Sequence, residues 1–156
     1  MQSIQVNPIG SIRRDGTLRV ELDPQYAPAL LALREFSHVI VLWWAQGCDT
    51  DKWRQELQID PPYAPGHRTG IFATRAPHRP NPICLTVCPI VEVDEQRGMV
   101  IVSDIDAMEG SPVLDIKAYY PVCDRVRQAH IAPWLQGWPE WMPEAGLSLE
   151  VYDEQD

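Results

Sequence analysis

The sequence predicts a mainly β protein, a sheet of all-β or α+β type that curls into a barrel with short helices, and not a Rossmann fold. Three observations lead there. Short runs of alternating or branched apolar residues recur between turn signals. The stretches of helical character are brief and start or break at proline. No GxG occurs anywhere, so the glycine loop that opens a dinucleotide-binding helix has no candidate.

The elements follow in chain order. Gln5 to Ile9 and Thr17 to Leu22 read as strands, the second alternating Leu18, Val20 and Leu22 against Arg19 and Glu21, with Asp15-Gly16 as the turn before it. Asp23-Pro24 supplies an N-cap and a proline at the first helical position. Tyr26, Leu30, Leu31 and Leu33 then mark a short amphipathic helix ending near Glu35, with Pro28 in its first turn, where a missing N–H is tolerated. Ser37 to Ala45 is apolar almost throughout and rich in branched and aromatic side chains, as a strand buried on both faces requires. Gln46-Gly47 ends it. Asp49 to Gln58 predicts a loop with one helical turn, and Asp60 to Gly66, dense in proline, an irregular surface connection. Leu85 to Val93 and Met99 to Asp104 form a hairpin about residues 94–98, and Val113 to Tyr119 a further strand. From Ala132 onward, Trp134, Trp138 and Trp141 lie among Pro133, Pro139 and Pro143 and cannot share one regular helix; they either pack the tail onto the barrel or stack on bases.

Composition sets the class. The chain has 156 residues, 45% apolar and 22% charged, which fits one soluble globular domain. Its longest apolar run, Val39 to Ala45, is too short to cross a bilayer. The N-terminus carries neither a basic nor an apolar targeting segment, so a cytoplasmic location is expected, with reduced thiols. Cys48, Cys84, Cys88 and Cys123 include no CxxC pair, and no metal site is expected.

A net charge of −9 argues against indiscriminate nucleic-acid binding. Part of the acidity belongs to the C-terminal tail, with Glu140, Glu144, Glu150, Asp153, Glu154 and Asp156. From Pro61 to Val91, by contrast, there is no Asp or Glu, while His67, Arg68, Arg75, His78 and Arg79 all lie there. Arginine offers the planar fork suited to phosphate, carboxylate and base edges, so an anionic ligand is one reading. Arginines satisfying the carbonyls of a proline-broken loop are the other.

Neither a P-loop, an HExxH nor a GxSxG is present. A Cys-His hydrolase built from His67 or His78 with Cys84 lacks any sign of a third, orienting group. What the chain does contain is the segment Thr74-Arg75-Ala76-Pro77-His78-Arg79-Pro80-Asn81-Pro82-Ile83. Its prolines fix their own φ and extend the residues before them, so Arg75, His78, Arg79 and Asn81 lose little freedom on binding. A rigid crossover between strands is the plainer alternative. A second segment, Asp104 to Pro112, brings carboxylates and backbone amides together at a sheet edge, where they could grip hydroxyls or an ammonium or merely cap a turn. Asp115, Lys117 and Tyr119 alternate on the following strand and share a face.

Glu35-Phe36-Ser37-His38, then Gly70-Ile71-Phe72-Ala73-Thr74-Arg75 through Arg79-Pro80-Asn81-Pro82-Ile83, then Glu109-Gly110-Ser111-Pro112-Val113-Leu114-Asp115-Ile116-Lys117 together resemble the TsaA-like family, also called TrmO, from about Val6 to Pro121. The resemblance implies a β-barrel that binds S-adenosylmethionine without a Rossmann fold, as a homodimer with the cofactor near the subunit interface. It also implies methylation of threonylcarbamoyl-modified adenosine beside the anticodon of tRNA. Carried over position by position, the cofactor contacts are Gln46, Gly47, Arg75, Val87, Asp106, Ala107, Met108 and Glu109. His78, Arg79, Asn81, Asp115 and Lys117 are the residues expected toward the acceptor. No residue is singled out as the general base. The chain departs from the family in having Gln46 where a histidine is usual, Cys84 in place of a glycine, and only Ile12-Arg13-Arg14-Asp15-Gly16 between the first two strands. The implied organisation is a barrel domain over residues 1–125 and a Trp- and Pro-rich acidic extension, residues 126–156, packed on it. A cofactor-binding module without transfer activity is the alternative function.

Overall fold

The structure is a computed structural model that describes residues 3–143. The strands are β1 (Gly10–Arg13), β2 (Arg19–Leu22) and β3 (His38–Trp44), followed by a helical turn α1 (Asp51–Gln55) and a two-residue ladder of β4 (Gln58–Ile59) and β5 (Thr69–Gly70). Then come β6 (Ile83–Asp94), β7 (Met99–Val102), β8 (Pro112–Ala118) and a last helical turn α2 (Pro121–Asp124). Six of the strands close into a barrel in the order β1-β2-β7-β6-β3-β8. Every pairing in it is antiparallel.

Register gives the barrel wall two unlike faces. Val39, Val41 and Trp43 stand opposite Cys88, Thr86 and Cys84 of β6, and they point inward with Ile12, Val20, Val100 and Val113 to make the core. On the other face Ile40, Leu42 and Trp44 align with Val87, Leu85 and Ile83. There Ile40 is buried, but Leu42 and Trp44 are only half-buried, and Ile83 and Leu85 remain 41% and 39% exposed. The strand expected to be buried on both faces is thus fully covered on one and, among the described residues, only partly covered on the other.

Two sequence expectations are corrected. Gln5 to Ile9 is not a strand: pairing begins at Gly10, and Pro8 has no N–H to give to a ladder. The helix expected from Asp23 to Glu35 is instead two 3-10 segments, Pro24–Leu30 and Leu33–Glu35. Pro28 lies inside the first segment, and Ala32 joins the two with a left-handed φ of 66°. Pro28 removes the N–H that an α-helix would bond to residue 24, so the chain tightens to three-residue turns. Asp23 makes no side-chain cap. Leu30 and Leu33 still bury their side chains in the core. The acidic residues from Glu144 onward lie outside the described residues. No helix among the described residues is long and apolar enough to cross a membrane.

At Gly10, β1 crosses β2 so closely that a Cβ would lie 2.2 Å from the Glu21 carbonyl oxygen. Gly10→Ala is expected to lower stability by about 1–3 kcal/mol or more, read from the urea midpoint, because the obstacle is backbone and cannot rotate away. An unchanged midpoint would contradict this closure of the barrel.

Candidate functional site

Between β7 and β8 the chain runs through residues 103–111 without a ladder partner. Ile105 and Ala107 are buried there, so their carbonyls need donors. Arg14, in the turn between β1 and β2, supplies them: its Nε donates to Ala107 O at 2.8 Å and its Nη2 to Ile105 O. Its backbone N–H donates to the Glu109 carboxylate, which also faces Arg13 Nη1 at 3.1 Å. Gly110 N–H donates to Ile12 O at 2.8 Å and Ile12 N–H to Ser111 O at 3.0 Å. On the inner wall, Thr86 Oγ1 donates to Asp106 Oδ1 and accepts from Trp43 Nε1 at 3.0 Å. Arg13, Arg14, Thr86 and Trp43 are the residues that sequence reasoning missed. An adjacent arginine pair ahead of Asp15-Gly16, in a chain with 13 bases, was the available signal.

The proline-stiffened segment is anchored from both ends. Thr74 Oγ1 donates to Ile71 O at 2.8 Å, and Arg54 on α1 donates to Asp49 O at 2.9 Å and Pro80 O at 2.8 Å while lying 5.4 Å from the Trp44 ring centroid. His78 stacks flat on Trp53, with ring centroids 3.9 Å apart. Arg79 donates to Thr74 O at 3.4 Å and Ala76 O at 3.3 Å, so for this arginine the carbonyl-satisfying reading holds. Arg75 differs: its exposed side chain makes no hydrogen bond or ion pair among the described residues. Asn81 is also exposed.

Both segments act electrostatically on Cys84. Burial pushes its thiol up to about 12, the Asp106 carboxylate adds to the rise, and the Arg79 and, more weakly, Arg75 guanidiniums oppose it. All three charged groups therefore lie within electrostatic reach of one side chain on β6. A cavity of about 260 Å³ is lined by Gln46, Gly47, Met108, Glu109 and Ser111. Gly47 has φ +88°, and the space where a Cβ would stand is open. Four of the expected cofactor residues thus line one cavity, Asp106 and Arg75 influence the Cys84 thiol electrostatically, and Ala107 is buried in the turn's support.

Val87, Asp115 and Lys117 are elsewhere. Their positions opposite Ile40 and Leu42 put them on the outer wall, where Lys117 Nζ pairs with Asp115 Oδ2 at 2.5 Å and Asp115 Oδ1 accepts from Ile116 N–H at 2.9 Å. A larger cavity of about 510 Å³ lies under the 3-10 segments, lined by apolar and aromatic side chains such as Tyr26, Leu30, Phe36 and Tyr120. Asp115, the one charged residue among those lining it, pairs with Lys117. Among the described residues no group of His, Cys, Asp and Glu side chains gathers to hold a metal ion.

Residues 4–125 match the family model described as the tRNA-methyltransferase O N-terminal domain. The chain is 40% identical, over 73% of its length and 77% of the relative's, to an S-adenosyl-L-methionine-binding protein of Archaeoglobus fulgidus. It is 42% identical over 91 residues, 58% of this chain and 20% of the other, to the tRNA (adenine(37)-N6)-methyltransferase of Mus musculus. The crystal structure of TrmO from Pseudomonas aeruginosa superposes with a TM-score of 0.62 at 31% identity, covering 83% of this chain. This chain spans 62% of that one, less than two thirds.

Half-buried Cys84 and core Cys88 give the barrel a pH signature. Cys84 and Cys88 are both raised from 9.0 to about 12, chiefly by burial. Between those values the unfolded state has released protons that the folded state keeps, so stability is full below pH 9 and falls as pH rises toward 12. The urea midpoint should therefore drop above pH 9, and less steeply in a Cys84→Ser, Cys88→Ala variant. Iodoacetamide at neutral pH should modify exposed Cys123 first; labelling of Cys84 at the same rate would contradict its placement.

Proposed function

Because the chain belongs to the tRNA-methyltransferase O N-terminal domain family, we propose that it transfers a methyl group from S-adenosyl-L-methionine to the threonylcarbamoyl-modified adenosine beside the anticodon of tRNA, or to a related nucleoside. The observation that carries this reading is the convergence of the Gln46-Gly47 turn and the Met108-Glu109 turn on one cavity, while Arg75 and Asp106 both act on the Cys84 thiol.

The residues present suit the cofactor. Gly47 leaves backbone open to close approach, and Met108, 68% exposed, offers a polarisable surface for an adenine. Gln46 and Asp106 supply acceptors for hydroxyls or an ammonium, and Arg75 a guanidinium for a carboxylate. Glu109 lines the cavity and braces it, because its carboxylate is shared between Arg13 and Arg14. Bound there, the cofactor supplies an electrophilic methyl group on a sulfonium. The protein's part is to hold donor and acceptor in line, with a base to take the amine proton. The guanidinium of Arg75 and the amide of Asn81 face solvent and are available to an anionic acceptor, with His78 and Arg79 fixing the segment that presents them.

The cavity is smaller than the roughly 300–1,000 Å³ usual for ligands of this size, and Val87, Asp115 and Lys117 stand on an outer wall with exposed Ile83 and Leu85. Both features support a homodimer in which a second copy completes the site. The barrel, residues 1–125, would then carry the cofactor in the cytoplasm, with the extension, residues 126–156, packed on it. A second reading, cofactor binding without transfer, is favoured by relatives named as S-adenosyl-L-methionine-binding proteins.

Calorimetric titration should show cofactor binding by wild type and a loss of about tenfold or more in Arg75→Ala, as expected for removing a charge-assisted contact. Unchanged affinity would refute this pocket. Radiolabelled methyl groups should pass into tRNA from cells lacking the modification; binding without incorporation would select the second reading.

A further inference from the structure

Beyond the 4–125 span of the family model, the C-terminal segment reaches back to the connection between β4 and β5. Trp134, half-buried on the 3-10 turn Pro133–Leu135, lies nearly parallel to the Tyr63 ring, with centroids 6.2 Å apart and planes 17° apart. It is similarly related to the His67 ring, at 6.3 Å and 22°. Trp138 meets Tyr63 edge-on at 5.3 Å. These rings are not core: Tyr63 is 38% and Trp138 45% exposed. Their backbones are nonetheless set in advance. Pro61, Pro62 and Pro65 flank Tyr63, and tight turns bond Ala64 N–H to Pro61 O at 2.9 Å, His67 N–H to Ala64 O at 3.1 Å and Trp138 N–H to Leu135 O at 3.1 Å.

The surrounding charge selects the ligand. The cluster joins residues 61–91, a long stretch without a carboxylate, and adjoins Arg68, which follows His67 in the chain, is well exposed and pairs with Asp60 at 3.4 Å. Exposed rings beside an exposed guanidinium fit the π-face and phosphate of an unpaired nucleotide. We propose that Tyr63, His67, Trp134 and Trp138 form a stacking platform for an unpaired base of the RNA substrate, outside the cofactor site. The proposal rests on the tRNA reading above.

The test uses the full chain, a fluorescein-labelled anticodon stem-loop, and S-adenosyl-L-methionine as a separate ligand. The expected result is that Trp134→Leu and Trp138→Leu each weaken stem-loop binding and raise the KM for RNA by about tenfold, with cofactor affinity unchanged. Tyr63→Phe, which keeps the ring, should match wild type. Leucine keeps apolar bulk, and if one variant fails to fold the other decides. Folded variants that bind and methylate the stem-loop as wild type does would overturn the platform and leave the methyltransferase reading standing. Wild-type protein that binds the cofactor but neither binds nor methylates the stem-loop would overturn both.

Discussion

The carbonyls of Ile105 and Ala107 are the constraint on which the rest of the site depends. They belong to a segment with no strand partner and two buried side chains, and a single guanidinium, that of Arg14, satisfies both. Without it the chain would have to leave two acceptors unpaired or swing the turn into water. With it, the Met108-Glu109 turn is fixed against the hairpin between β1 and β2, and the Gln46-Gly47 turn stands across a cavity from it. The short connection between the first two strands is therefore a working part of the site. Its two arginines face the acidic turn, one through its side chain and backbone, the other through Glu109.

Much of this arrangement was legible in the sequence because it rests on local rules. The alternation of Leu18, Val20 and Leu22, the apolar run ending at Gln46-Gly47 and the hairpin about residues 94–98 all appear where their patterns put them. The stiffness of the segment from Thr74 to Ile83 follows from its prolines. The failures share a cause. Pro8 and Pro28 each withhold an N–H, which leaves Gln5 to Ile9 outside the first strand and turns an apparent helix into 3-10 turns.

The site was legible only as two halves. Which arginine would be spent on carbonyls and which would stay open is a matter of where the chain crosses itself, so Arg79 and Arg75 looked alike although only Arg79 is bonded internally. The roles of Arg14 and Thr86 depend on contacts 91 and 20 residues away, which no window of sequence contains. Val87 and the Asp115–Lys117 pair were grouped with the site but occupy the opposite face of the wall. That separation is the physical reason for invoking a second copy: an outer wall with half-exposed Ile83 and Leu85 gains by being covered.

The most direct measurement is a crystal structure of the protein grown with S-adenosylhomocysteine, the cofactor without its methyl group. The account requires its density between Gln46-Gly47 and Met108-Glu109, with the sulfur on the side of Cys84 and Arg75. Density in the apolar cavity beneath Tyr26 and Phe36, with the smaller one empty, would contradict it.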